Sequence, residues 1–122
     1  MIYSTRLNST SDSLVYTSSS TGAPIGAGVV GQENAVVSII VCNTGTPDLS
    51  DETVNSCTIT MNLVQSGGVS TDTNTIVKSL IIPAGETVFF SDEKIVLSSG
   101  DEVRATASVS NLISITVSAL AV

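Results

Sequence analysis

The chain has 122 residues and a mass of 12.4 kDa, and its 4 Lys and Arg against 11 Asp and Glu give a formal net charge of -7. This length suits one domain, and the acidity argues against nucleic acid and anionic membranes as partners, because both are bound by basic patches. The sequence has no histidine, which argues against most hydrolases and transition-metal enzymes, since histidine is the commonest general base and metal ligand.

The residue usage favours strands over helices. Ser and Thr account for 35 residues and Val and Ile for 27, and β-branched side chains fit the pleated surface of a sheet. Short apolar stretches alternate with turn residues, and none reaches the roughly 20 apolar residues of a membrane helix. We therefore expect an all-β protein, an antiparallel β-sandwich of Ig-like or jelly-roll-like type with seven to nine short strands.

The N-terminal part divides into a polar start and a glycine-rich stretch. Residues 1–18 are predicted to form an N-terminal arm or an edge strand, and residues 19–122 a single β-sandwich domain. Residues 22–31 contain too many glycines for a long regular element and are predicted to be a loop. The first residues lack the apolar run of a signal peptide, so we expect synthesis in a cytoplasm.

The central part predicts a β-hairpin. Residues 35–44 are apolar, residues 55–65 alternate between apolar and polar, and the exposed loop 45–54 joins them. One register sets Cys42 opposite Cys57 and turns the even-numbered residues of the first strand towards the core. Two alternatives follow for the cysteines: reduced core thiols, or a cross-strand disulfide formed after release from the cell.

The C-terminal part predicts five more strands, ending in two with clear alternation of apolar and polar residues. These strands cover residues 75–82, 86–90, 94–97, 102–110 and 112–120. In the last two, the odd-numbered positions are apolar and are expected to face the core. No helix is predicted.

No catalytic constellation is found, and we expect a protein that is not an enzyme and has no cofactor. A serine triad would lack its histidine, and no helix follows the glycines as a phosphate-binding loop requires. Asp48, Asp51 and Glu52 are the only calcium candidates, since a calcium site needs several converging oxygen ligands. Their spacing matches no known calcium-binding loop, so solvated turn residues are the simpler interpretation.

Part of the apolar surface is expected to contact another chain, because so few charged residues are available to cover it. The candidate interface residues are Tyr3, Leu7, Leu14, Tyr16, Phe89 and Phe90. Phe89 and Phe90 are neighbours in a predicted strand, so their rings point to opposite faces. At least one ring is therefore expected in the core, and the other is an interface candidate or is buried in the same domain.

The last third of the chain has a recognisable succession of turns and strands. It runs through Pro83-Ala84-Gly85, then Lys94-Ile95-Val96-Leu97, then Gly100-Asp101, an Ala- and Ser-rich strand and a final apolar strand. This succession resembles a family of small phage virion structural proteins. The chain departs from the family at Ser98-Ser99, where the family often has an acidic and a small residue.

The resemblance implies a non-enzymatic virion protein made in the host cytoplasm and assembled with other virion proteins. Its leading form is a capsid decoration (cement) protein that binds the shell through a β-sandwich surface and an N-terminal arm. We expect a homo-oligomer, a trimer before a dimer. The alternatives are a neck, tail or fibre-attachment protein and, in a different class, a carbohydrate- or receptor-binding module.

Overall fold

The computed structural model describes residues 2–18, 33–92 and 94–121. The glycine-rich stretch 22–31, predicted to be a loop, lies outside these residues. The described ranges contain nine strands and one short 3-10 helix (Asp72–Asn74). The strands are β1 (Ile2–Arg6), β2 (Ser13–Thr17), β3 (Asn34–Asn43), β4 (Cys57–Val64), β5 (Thr75–Ile82), β6 (Thr87–Phe90), β7 (Ile95–Leu97), β8 (Glu102–Ala107) and β9 (Ile113–Ala121).

The strands form two sheets that enclose one hydrophobic core, and this confirms the predicted all-β sandwich. In the five-stranded sheet the order is β1-β9-β3-β6, and β7 pairs with the part of β3 that β6 leaves free. In the four-stranded sheet the order is β2-β8-β4-β5. Every pairing is antiparallel.

The core is built from alternate residues of the central strands, because successive side chains of a strand point to opposite faces. The alternation predicted for the last two strands is confirmed within β8 and β9, but it is wrong at Val109, which lies beyond the end of β8 and is exposed. These strands bury Val103, Ala105, Ala107, Ile113, Ile115, Val117 and Ala119. From the opposite side β4 contributes Cys57, Ile59 and Met61.

Residues 2–18 are part of the sandwich. β1 pairs with β9 at one edge of the five-stranded sheet, and β2 pairs with β8 at one edge of the four-stranded sheet. Between them, the N–H of Leu7 donates to the carbonyl of Ile113 at 2.9 Å, and the Leu7 side chain is buried in the core. Of the two expectations for this segment, the described residues therefore match edge strands and not a free arm.

The predicted hairpin between residues 35–44 and 55–65 is wrong. β3 pairs with β6, β7 and β9, whereas β4 pairs with β5 and β8, so the chain crosses from one sheet to the other between β3 and β4. Cys42 lies opposite Ser114 and Thr87 instead of Cys57. Both cysteines are free thiols, with Cys57 buried and Cys42 half-buried. The structure therefore contains no disulfide between them.

A bulge in β3 reverses which of its alternating side chains point towards the core. The register between β3 and β9 shifts between Val36 and Ser38. Val36 is buried, but beyond the shift the odd-numbered Ile39 and Val41 are buried and the even-numbered Cys42 is turned outward. The prediction that even-numbered residues face the core is therefore wrong beyond Val36, because one extra residue reverses the alternation.

Candidate functional site

The acidic residues of the loop between β3 and β4 are bonded within that loop. The carboxylate of Asp48 accepts hydrogen bonds from the Ser50 hydroxyl at 2.7 Å and the Ser50 N–H at 2.8 Å. Asp51 is bonded in the same way by Thr53, at 2.7 and 3.0 Å. These bonds, led by those from the hydroxyls, lower the pKa of both carboxyls, and Glu52 is exposed beside them.

This arrangement explains two of the three calcium candidates, Asp48 and Asp51, as residues that shape a turn. Asx turns of this kind stabilise a loop without any ion. In the parts of the chain that the structure describes, no three His, Cys, Asp or Glu side chains come together in a group that could hold a metal ion.

Two of the four N-terminal interface candidates belong to the core. Tyr16 is fully buried and Leu7 is 2% exposed, so neither side chain offers surface to a partner. The rings of Tyr3 and Tyr16 are in contact, with centroids 5.5 Å apart and planes tilted by 57°. Tyr3 and Leu14 are half-buried.

The prediction that at least one of the two phenylalanine rings of β6 faces the core is confirmed. Phe90 packs against the core, whereas Phe89 points outward and is 65% exposed. Because an exposed phenylalanine is an unusual feature of a solvated strand, Phe89 marks a surface of interest.

An apolar groove of about 400 Å³ lies next to this pair, between the edge of the four-stranded sheet and the edge of the five-stranded sheet. Its lining is Val36, Ile39, Met61, Leu63, Ile76, Val77, Phe89, Phe90, Ser91, Asp92 and Ile95. The groove exists because β6 ends at Phe90 and β7 begins at Ile95, so this edge is made of two short strands. Asp92 and Ser91 are the polar groups at its mouth.

The wall of the groove that β5 forms is protected against the addition of a further strand. At the irregular pairing of β4 with β5, Ser79 has a positive φ of 49°, and its N–H donates to the Thr60 hydroxyl at 3.0 Å. The preceding residue, Lys78, is exposed. A bulge and a lysine on an edge strand both discourage pairing with another chain, so the groove favours contacts made by side chains.

A second surface, on which exposed apolar side chains lie among Ser and Thr, covers the outward side of the five-stranded sheet. We call this surface the outer face and define it by four rows of residues that lie side by side across the strands. The rows are Leu120 with Ala35 and Val96; Ile2 with Ser118 and Ser38; Ser4 with Thr116, Ile40 and Phe89; and Arg6 with Ser114, Cys42 and Thr87. Ile2, Phe89, Val96 and Leu120 are each more than half exposed.

The outward side of the four-stranded sheet has the opposite character. There Arg104 Nε donates to Asp12 Oδ2 at 2.9 Å, and Arg104 Nη1 donates to Glu102 Oε1 at 3.2 Å. The large exposed apolar side chains of this sheet are both in β5: Ile76, which lines the groove, and Ile81, which lies beside Thr58. An antiparallel sandwich normally has polar side chains on its outward sides, so the four exposed apolar side chains of the outer face require an explanation.

Sequence reasoning found Phe89 but missed Ile40, Val96 and Leu120. A signal was present in β3, where apolar residues occupy both alternating positions instead of one. Such a strand is typical of a sheet that is covered on both faces. The register across β6, β7 and β9 was required to show that these residues lie on one surface.

Comparison with models of known protein families finds no match to this chain, and comparison with curated protein sequences finds none. The described residues contain no helix that could span a bilayer. The fold and the two apolar surfaces are therefore the observations on which a function can be argued.

Proposed function

We propose that the chain is a non-enzymatic structural protein of a phage particle, a capsid decoration (cement) protein that binds the shell through the surface of its β-sandwich. Two kinds of observation support this proposal. The sequence of residues 75–122 resembles small virion structural proteins, and the sandwich has apolar surface suited to contact with protein. Since residues 2–18 are held in the two sheets, we assign the contact to the sandwich instead of an arm.

The observation that carries the proposal is the apolar groove. It is open at the edge of the sandwich, and Ile76 and Phe89 line it while remaining exposed to solvent. A side chain from a capsid protein that entered the groove would bury apolar area on both partners, at about 25 cal/mol per Å². The polar groups at the mouth, Ser91 and Asp92, could orient the bound segment.

The carbohydrate- or receptor-binding alternative receives less support from the same residues. The chain has four aromatic residues, and of these only Phe89 is largely exposed. A sugar platform requires exposed aromatic rings. Asp48 and Asp51 are bonded by their own loop, so their geometry lends no support to a calcium-assisted sugar site.

The test is the copy number of the chain in purified particles of the phage that encodes it, measured by quantitative mass spectrometry. A decoration protein is expected in numbers comparable with the major capsid protein. A copy number lower by an order of magnitude would replace decoration with the neck, tail or fibre-attachment alternative. Complete absence from the particles would reject a virion role.

A pair of variants on one strand tests the groove. Ile76→Glu places a charge at the groove, whereas Ile81→Glu places the same charge on the outward side of the four-stranded sheet, and both residues are exposed in β5. We expect Ile76→Glu to lose incorporation into particles and Ile81→Glu to keep it. Equal incorporation of the two variants would remove the groove from the proposal.

A further inference from the structure

We propose that the outer face of the five-stranded sheet binds a second copy of this chain, and that the two copies form a two-fold symmetric dimer. The inference holds whether or not the chain is a virion protein, because the outer face shares only Phe89 with the groove and dimerisation is measured on the isolated chain. It also changes the expected symmetry, since a trimer was predicted from the sequence.

The distribution of charge favours this surface for contact between two acidic molecules. Each copy has a net charge of -7, so two copies repel each other wherever acidic surfaces approach. The outer face carries no acidic residue in any of its four rows, and its one charged member is Arg6. Two copies can therefore meet there without placing carboxylates opposite one another.

The residues of the rows are complementary to themselves under one symmetry operation. A two-fold axis parallel to the strands, between β9 and β3, keeps each row level and exchanges the two sides of the sheet. In this arrangement β9 of one copy faces β3 of the other, and β1 faces β6 and β7. An isologous contact of this kind repeats every pair twice.

This operation places large side chains opposite small ones. Phe89 of one copy faces Ser4 of the other, and Ile40 faces Thr116, because these four residues form one row. In the first row Leu120 faces Ala35 of the second copy. Alternation of large and small residues is what lets two sheets interdigitate when they pack face to face.

The same operation places the one charged member of the face opposite a neutral residue. Arg6 and Thr87 are the two ends of the fourth row, so Arg6 of one copy lies over Thr87 of the other. Glu86 precedes Thr87 and pairs with the buried Asn43, so it belongs to the inward side of the sheet and adds no carboxylate to the outer face. The two Arg6 side chains lie on opposite sides of the axis, so the contact brings no like charges together.

The size of the face sets the expected strength of the dimer. Four strands at about 4.8 Å and seven residues at about 3.3 Å each give a projected area of roughly 400 Å² per copy. The two copies together cover roughly 800 Å² when the extra area of protruding side chains is left out. This area is below the about 1,200 Å² typical of stable complexes. We therefore expect a weak dimer with a dissociation constant in the micromolar range.

Sedimentation equilibrium of the full chain, from low micromolar to millimolar concentration, tests the proposal. The expected mass rises from 12.4 kDa for one chain towards twice that value. Phe89→Glu should keep the protein monomeric, while Ile81→Glu, a matched substitution on the other sheet, should dimerise as the wild type does. A monomer at every concentration, a trimer, or equal effects of the two variants would overturn the proposal.

An exchange of side-chain size tests the two-fold orientation. Ser4→Phe, which sets two rings against each other, and Phe89→Ser, which removes the ring, should each weaken dimerisation about 5- to 10-fold, and the double variant should restore it, with circular dichroism confirming the fold of every variant. Restoration requires the two positions to face each other across the interface, because they lie at opposite edges of one copy. If the double variant is as weak as the single variants, the proposed symmetry is wrong.

Discussion

Replacement of Asn43 by alanine should cost this protein a large part of its stability. The side chain is fully buried at the end of β3 and makes three hydrogen bonds that link separate parts of the chain. Its Nδ2 donates to the carbonyls of Asn55 at 2.8 Å and Ile82 at 2.9 Å, and its Oδ1 accepts from the N–H of Gly45 at 2.9 Å. Asn43 thus joins the β3–β4 loop to the end of β5.

The expected loss follows from the number of these bonds. Each buried hydrogen bond contributes about 1 kcal/mol, and the backbone groups left behind are unpaired, so Asn43→Ala should lower the free energy of unfolding by about 3 kcal/mol. With an m-value of about 1–3 kcal/mol/M, the urea midpoint should fall by about 1–3 M. Asn43→Asp should lose at least as much at neutral pH, because a carboxylate cannot donate to the two carbonyls.

Urea unfolding followed by circular dichroism measures this change, and Asn8→Ala, at an exposed asparagine, is the matched control. The control should differ from the wild type by less than about 0.5 kcal/mol. An Asn43→Ala variant as stable as the control would refute the view that this side chain holds the loop against the sandwich.

Three further predictions concern single side chains. The buried hydroxyl of Tyr16 has no hydrogen-bond partner among the described residues, so Tyr16→Phe should raise the free energy of unfolding by about 1 kcal/mol or leave it unchanged. A clear decrease would mean that the hydroxyl is bonded. Thr53→Ala should raise the pKa of Asp51 towards its ordinary value of 3.8 in an NMR titration, and an unchanged pKa would contradict the proposed cause. Because that pKa is lowered in the folded protein, ionised Asp51 stabilises the loop above about pH 3.8, and the effect is lost as the pH falls through the lowered pKa. At low micromolar protein concentration a thiol reagent should label the half-buried Cys42 before the buried Cys57, and both should react in denaturant. Faster labelling of Cys57 would contradict the burial of the two thiols in the structure.

Residues of the candidate site could be predicted from the sequence only where the geometry of a single strand decides in which direction a side chain points. Phe89 and Phe90 are adjacent in sequence, so opposite directions of their rings follow from strand geometry alone. Leu7 and Tyr16 were predicted to belong to an arm or edge strand because much of the segment 1–18 is polar. Their burial depends on pairing of β1 with β9 and of β2 with β8, about 110 and 90 residues further along the chain respectively.

The sequence by itself determined the class of fold and the inward residues of the regular strands. Composition excludes helices as the main element, and the period of two in β8 and β9 defines which side chains are buried, because alternation is a property of each strand alone. The tertiary structure decided which strands are neighbours. β3 and β4 have compatible patterns yet lie in different sheets, and the shift beyond Val36 reverses the faces of β3. Pairing depends on packing between distant segments, and a bulge depends on the neighbouring strand, so neither can be derived from local periodicity.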